Sequence, residues 1–122
     1  MKVLLSIKPE FASKIFEGSK KYEYRRTIFK RTGVTTIVVY VSNPIKKVIG
    51  EFEIEGIIQE EPQSLWEKTG KQGGISKERF LNYFENKTKG YAIKVRDARM
   101  YDSPVPLHKL MVVSPPQSFA YL

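Results

Sequence analysis

Hydrophobic and polar positions recur along this chain with two different periods, and the switches between them mark its elements. Residues 3–7 form a short apolar run that Lys8 and Pro9 interrupt, which reads as a first strand. Pro9 opens a helix, because a first helical position loses nothing by lacking an N–H. Phe11, Ala12, Ile15 and Phe16 keep the three-to-four spacing of a buried helical face, and Gly18 stands where a left-handed cap ends such a helix. From residue 20 to 26 the period drops to two, with Tyr22 and Tyr24 on one face and Lys21, Glu23 and Arg25 on the other. Arg26 falls nominally on the tyrosine face, so it is expected at the strand end with its guanidinium in solvent.

Arg31, Thr32 and Gly33 mark a turn, residues 35–41 give the strongest β signal, and Asn43-Pro44 ends it. Residues 47–58 alternate again: Val48, Gly50, Phe52 and Ile54 face one way, and Glu51, Glu53 and Glu55 the other, toward water. Pro62 starts a short helix through Leu65 and Trp66 that ends near Gly70. Ser76 caps a second helix, with Phe80, Leu81 and Phe84 on its inner face. Residues 91–101 form a long strand with Tyr91, Ile93 and Val95 on one side, and a further short strand is expected at residues 111–113. The fold class is therefore α+β. About five or six strands share one core as a small closed or nearly closed barrel, with an early helix and a helical insertion after the fourth strand.

A length of 122 residues suits one domain over residues 1–122. No apolar run approaches the ~20 residues that span a bilayer. The N-terminus lacks the apolar stretch and cleavage site of a signal peptide, so a cytoplasmic protein is expected. Without cysteine there is no disulfide, thiolate catalysis or Cys-based zinc site. The net charge of +8 is unevenly spread. Residues 1–31 hold nine basic and three acidic side chains, whereas residues 51–86 hold four basic and eight acidic. A chain polarised in this way can offer a cationic face to phosphates, or simply a solubilising surface.

The informative stretch is Gly18, Lys20, Lys21, Glu23 and Arg25, which gathers a helix-ending glycine, two ammonium groups, a carboxylate and a guanidinium in one corner. Arg25 has the planar fork that matches phosphate or carboxylate, Lys20 is a point charge whose pKa falls if desolvated, and Glu23 can orient Lys20 or accept a proton. The same residues also suit a solvated strand face with weak cross-strand ion pairs, and from the residues alone that is the more ordinary reading.

The spacing Gly18-x-Lys20-x-x-Glu23-x-Arg25, set after the first helix and leading into the second strand, resembles the G-x-K-x-x-E-x-R motif of the ASCH domain, a branch of the PUA-like superfamily. The opening run from Leu4 to Pro9 and the closing run from Pro115 to Phe119 are similar to small stand-alone bacterial and phage members, so the resemblance covers nearly the whole chain. It implies a PUA-like β-barrel with the motif in a cleft beside the first helix, and a role in RNA binding or RNA-linked regulation. Some relatives look like amidohydrolases of N4-acetylcytidine that use a lysine and a threonine of this motif. Lys20 matches the lysine, but Glu23 stands where the threonine would be. Other relatives are ribonucleases.

Further candidates surround the motif. Ser6 and Lys8 lie where strand passes to helix, a place for an anion or for simple helix initiation. Ser114, Gln117 and Ser118 flank a rigid Pro-Pro turn and could line the same cleft. Tyr22, Tyr24 and Phe29 are interleaved with Lys21, Arg25, Arg26, Lys30 and Arg31 in the manner of base-stacking platforms, although strand alternation favours burial of both tyrosines. His108 is the only histidine and is expected on the surface. The carboxylate row from Glu51 to Glu55 could in principle hold a divalent ion but is more simply a solvated face, so no metal and no cofactor is expected. Three readings remain: an RNA- or nucleotide-binding module, an RNA- or nucleoside-processing hydrolase with Lys20 and Glu23 as its acid/base groups, and a domain that binds a small anionic metabolite.

Overall fold

Apolar residues on both faces of one strand demand cover on both sides, and that requirement organises this molecule. The computed structural model describes residues 1–122. Its elements run β1 (Lys2–Ile7), α1 (Pro9–Glu17), β2 (Tyr22–Arg25), β3 (Thr36–Val41), β4 (Lys47–Glu60), α2 (Pro62–Thr69), α3 (Lys77–Tyr83), β5 (Gly90–Val105) and β6 (Phe119–Tyr121). Short 3-10 turns occupy Gly70–Gln72 and Leu107–Leu110. One six-stranded sheet has the order β2-β5-β4-β3-β1-β6. Only β1 and β3 pair in parallel, with α1 and β2 forming the crossover that a parallel pair needs. Arg25, at the end of β2, donates to the Ser118 carbonyl beside β6 at 2.9 Å. The two outermost strands are therefore brought together, and the sheet is curled into a half-barrel. This is the PUA-like α+β architecture.

On β1 the odd positions Val3, Leu5 and Ile7 enter the main core with Ile37, Val39 and Val41 of β3, Phe52 of β4, and Ala12 and Ile15 of α1. The even position Leu4 packs on the other side with Val38, Tyr40 and Val48, under the tail residues Leu107, Leu110 and Val112. A third cluster joins Tyr22, Tyr24 and Ala92 of the sheet to Leu65, Phe80 and Phe84 of the inserted helices. Both tyrosine rings are thus buried, but against the insertion rather than inside the half-barrel. Phe29 is buried in the main core and is no stacking platform.

Four expectations need correction. Val48 does not share a face with Phe52: the ladder skips Ile49 between Val39 and Tyr40, and this bulge turns Val48 to the opposite side. Leu81 is exposed, because α3 is two turns long and only Phe80 and Phe84, four apart, reach the core. No strand forms at residues 111–113. Met111 takes a left-handed conformation (φ 60°) after the 3-10 turn, and the final strand is β6, six residues beyond Val113.

The fourth concerns the acidic row, which is solvated at Glu55 but not at Glu51. Glu51 is buried and accepts from Tyr101 Oη at 2.8 Å, Arg99 Nη2 at 2.7 Å and Lys2 Nζ at 3.2 Å. Glu53 accepts from Thr36 Oγ1 at 3.0 Å, and Glu55 pairs with Lys94 at 2.6 Å. Burial pushes the Glu51 carboxyl up, but its hydrogen bonds and the Lys2 and Arg99 charges outweigh that and hold it below the usual range. Burial and the Glu51 carboxylate push the Tyr101 hydroxyl up to about 12. An unfolded tyrosine ionises near pH 10, so the folded chain holds more protons through the window above it, and stability falls as pH rises there. Tyr101→Phe is expected to cost about 1.5–3 kcal/mol below that window, for the lost bond to a charged group. Chemical denaturation of both proteins at stepwise alkaline pH should show this gap narrowing toward pH 12. A constant gap would refute the assignment.

Candidate functional site

The helix cap places the first functional side chain. Gly18, at φ 99°, donates its N–H to the carbonyls of Lys14 and Ile15, and the Lys20 N–H returns to Lys14 at 3.1 Å. This reversal drops the Lys20 side chain between the rings of Phe11 and Tyr24, with Nζ 5.1 and 4.8 Å from their centroids. Only 2% of Lys20 is exposed. Its ammonium donates to the Gly73 carbonyl at 2.6 Å and stands 3.9 Å from Glu23 Oε1. Burial draws the Lys20 pKa below the usual lysine range, Glu23 opposes that shift, and the Lys14 charge adds to it.

Glu23 is buried as well, and its other oxygen accepts from Arg25 Nη1 at 3.2 Å. The solvated-face expectation fails here because the insertion folds back over the motif. Gly73 is the point of closest approach: a Cβ there would lie 2.8 Å from Tyr24 Cε2. Arg25 also donates to the Ser6 and Ser118 carbonyls, so its fork ties β1, β2 and the tail together. The Ser6 hydroxyl donates to the Pro116 carbonyl at 2.9 Å, which fixes the Pro-Pro turn against β1.

Ser6, Lys8, Lys20, Glu23, Arg25, Arg26, Gln117 and Ser118 line one cleft of about 860 Å³. Lys21 and Ser114 lie outside it. Lys21 is exposed and bonds through its backbone to Gln72, while Ser114 is exposed in the tail. The opposite wall, from the insertion, escaped sequence reasoning: Ile75, Arg79, Asn82, Tyr83 and Lys87. A signal existed, since Arg79, Asn82 and Tyr83 recur at three-to-four spacing on the side of α3 away from Phe80. Arg79 is engaged by both oxygens of Glu10, at 2.9 and 3.0 Å, which ties α3 to α1. Lys8, Arg26 and Lys87 have no carboxylate partner, so the rim keeps three free cations. Burial pushes the Tyr83 hydroxyl up, and it accepts from the Arg26 N–H at 3.2 Å. No group of three or more His, Asp or Glu side chains is placed to share a metal ion, and no helix is long and apolar enough to cross a membrane.

Comparison with known proteins fits this geometry. A family model described as a domain of unknown function, DUF365, matches residues 1–116. An ASCH domain-containing ribonuclease of Zymomonas mobilis is 33% identical over 123 residues, covering 98% of this chain and 82% of that protein. The crystal structure of ASCH from Zymomonas mobilis superposes with a TM-score of 0.90 at 33% identity, covering 99% of this chain and 87% of that one. The large ribosomal subunit protein uL22 of Ureaplasma parvum is also 33% identical over 124 residues, and this chain spans 39% of its length. A matching family model, a shared fold and 33% identity over almost the whole chain lead to one conclusion: this chain belongs to the DUF365 family and is a member of the ASCH domain family.

Proposed function

We propose that this protein binds single-stranded RNA in the cleft and cleaves it there. The observation that carries the reading is the burial of Lys20, with its lowered pKa, beside Glu23 at the floor of a cleft whose rim bears unpaired cations. A pure binding module has no use for an amine shifted toward its neutral form, whereas a proton acceptor does. The ribonuclease relative from Zymomonas mobilis supports the same direction.

In this reading Lys8, Arg26 and Lys87 hold phosphates, and neutral Lys20 takes the proton of a ribose 2′-hydroxyl. The 2′-oxygen attacks the adjacent phosphorus, and the 5′-oxygen departs with a proton returned by the Lys20 ammonium. The Arg25 guanidinium faces the charge that develops on the phosphoryl oxygens. Glu23 steadies the ammonium between the two transfers. RNA-linked regulation in the cytoplasm is the setting such an activity suits.

The reaction needs a 2′-hydroxyl, so RNA and DNA of one sequence separate binding from chemistry. Both are expected to bind, with affinities that fall steeply as salt rises, by about 0.7 in log–log slope for each phosphate contacted on a single strand. Only the RNA is expected to yield product. Equal cleavage of both strands, or binding without any product, would remove the catalytic part of the proposal.

A further inference from the structure

A second, shallower depression of about 290 Å³ adjoins the cleft and is lined by Arg26, Asn86, Lys87, Thr88, Lys89 and Tyr91. Arg26 and Lys87 belong to both hollows, so they form the ridge between them. The lining holds three cations and no carboxylate. None of the three is in an ion pair, although the chain pairs nine other cation–carboxylate contacts. The turn that presents them is firmly built. Phe84 anchors it in the core, the Lys87 N–H bonds to the Phe84 carbonyl at 3.0 Å, and Asn86 takes a left-handed conformation (φ 65°). Tyr91 sits directly across the ladder from Arg25, which places its half-buried ring beside the motif strand.

We propose that this depression is a second nucleotide subsite, which takes the phosphate and base next along the strand from the nucleotide in the cleft. The inference rests on the RNA reading above and deepens it: the partner is an extended single strand several nucleotides long, not a mononucleotide or a small anion. Lys87 and Arg26 contact the phosphate that crosses the ridge, Lys89 the one beyond it, and the Tyr91 ring offers a face on which a base stacks. The Asn86 amide and the Thr88 hydroxyl supply donors and acceptors for a base edge or a 2′-hydroxyl. A duplex would have to lay both strands over a ridge with a hollow on either side, and a single strand does not.

Labelled mixed-sequence RNAs of about four and about sixteen nucleotides, within the range that single-strand sites cover, test this. Fluorescence anisotropy would compare wild type with Lys89→Ala, an exposed position outside the cleft. Lys89→Ala is expected to weaken the long RNA several-fold and to lower its salt slope by about 0.7, the share of one phosphate. Affinity for the short RNA should hardly change. If the variant binds both RNAs as wild type does, or loses both equally, the subsite is overturned and the cleft reading stands. If wild type binds neither RNA, both readings fall together.

Discussion

Lys20→Arg and Lys20→Ala are each expected to lower RNA turnover by about 100-fold or more, the lower end of what a positioned acid–base group contributes. The two substitutions differ in an instructive way. Arginine keeps a cation in the corner but cannot give up its proton, while alanine removes charge and base together. If Lys20 only attracted phosphate, arginine would preserve activity. If it transfers a proton, both fail, and the arginine variant still binds RNA. The pH dependence sharpens the distinction. Wild-type turnover should rise with pH until the lowered lysine pKa is passed, below the 10.5 of a free lysine. Glu23 holds that pKa up, so Glu23→Gln should move the rising limb to lower pH. A purely structural role for Lys20 would leave the limb where it was. Stability carries the same sign. The unfolded chain binds more protons than the folded one between the lowered pKa and 10.5, so wild-type stability rises with pH through that window. Lys20→Met, which cannot titrate, should lack that rise in urea titrations run across it.

The parts of this fold legible in the sequence are those where one period governs one environment. The helix from Pro9 to its glycine cap, the capping serine of α3 and the strong strand at residues 36–41 each follow from local chemistry. The long strand β4 was legible in kind, but its facing was not legible on both sides of its bulge. An extra residue at Ile49 reverses which side chains meet the core, and period counting across a bulge cannot register the reversal. The last strand was missed because Phe119–Tyr121 is three residues long and gains its place only by pairing with β1, which lies more than a hundred residues away in sequence. In the site, the motif named Lys20, Glu23 and Arg25 correctly as neighbours, yet their burial depends on Gly73 approaching from another part of the chain. Local pattern sees a charged strand face. Tertiary cover turns it into a desolvated pair.

Phe80 lies in the cluster that holds this cover to the sheet, and Phe80→Ala is the most damaging core change expected outside the motif. Phe80 is fully buried and packs edge-on against Tyr24 at 4.8 Å and Phe84 at 4.8 Å, and tilted against Trp66 at 5.2 Å. Truncation should cost about 3–5 kcal/mol, because the ring's contacts are lost and rigid neighbours cannot close the space. For a chain of this size that is a fall in melting temperature of roughly 10–20 °C. Phe80→Leu, which keeps most of the volume, should cost distinctly less. The damage should also be local before it is global. Phe80 joins the inserted helices to β2 and β5, whereas β1, β3 and α1 share a separate core. Hydrogen exchange of Phe80→Ala below its melting point should therefore show residues 62–90 losing protection while residues 36–41 keep theirs. The insertion carries the Gly73 carbonyl that holds Lys20 and the Tyr83 wall of the cleft, so RNA affinity and turnover should fall with that local loss. If protection declined evenly through both cores while the cleft stayed fully active, the insertion would not be the element that completes the site.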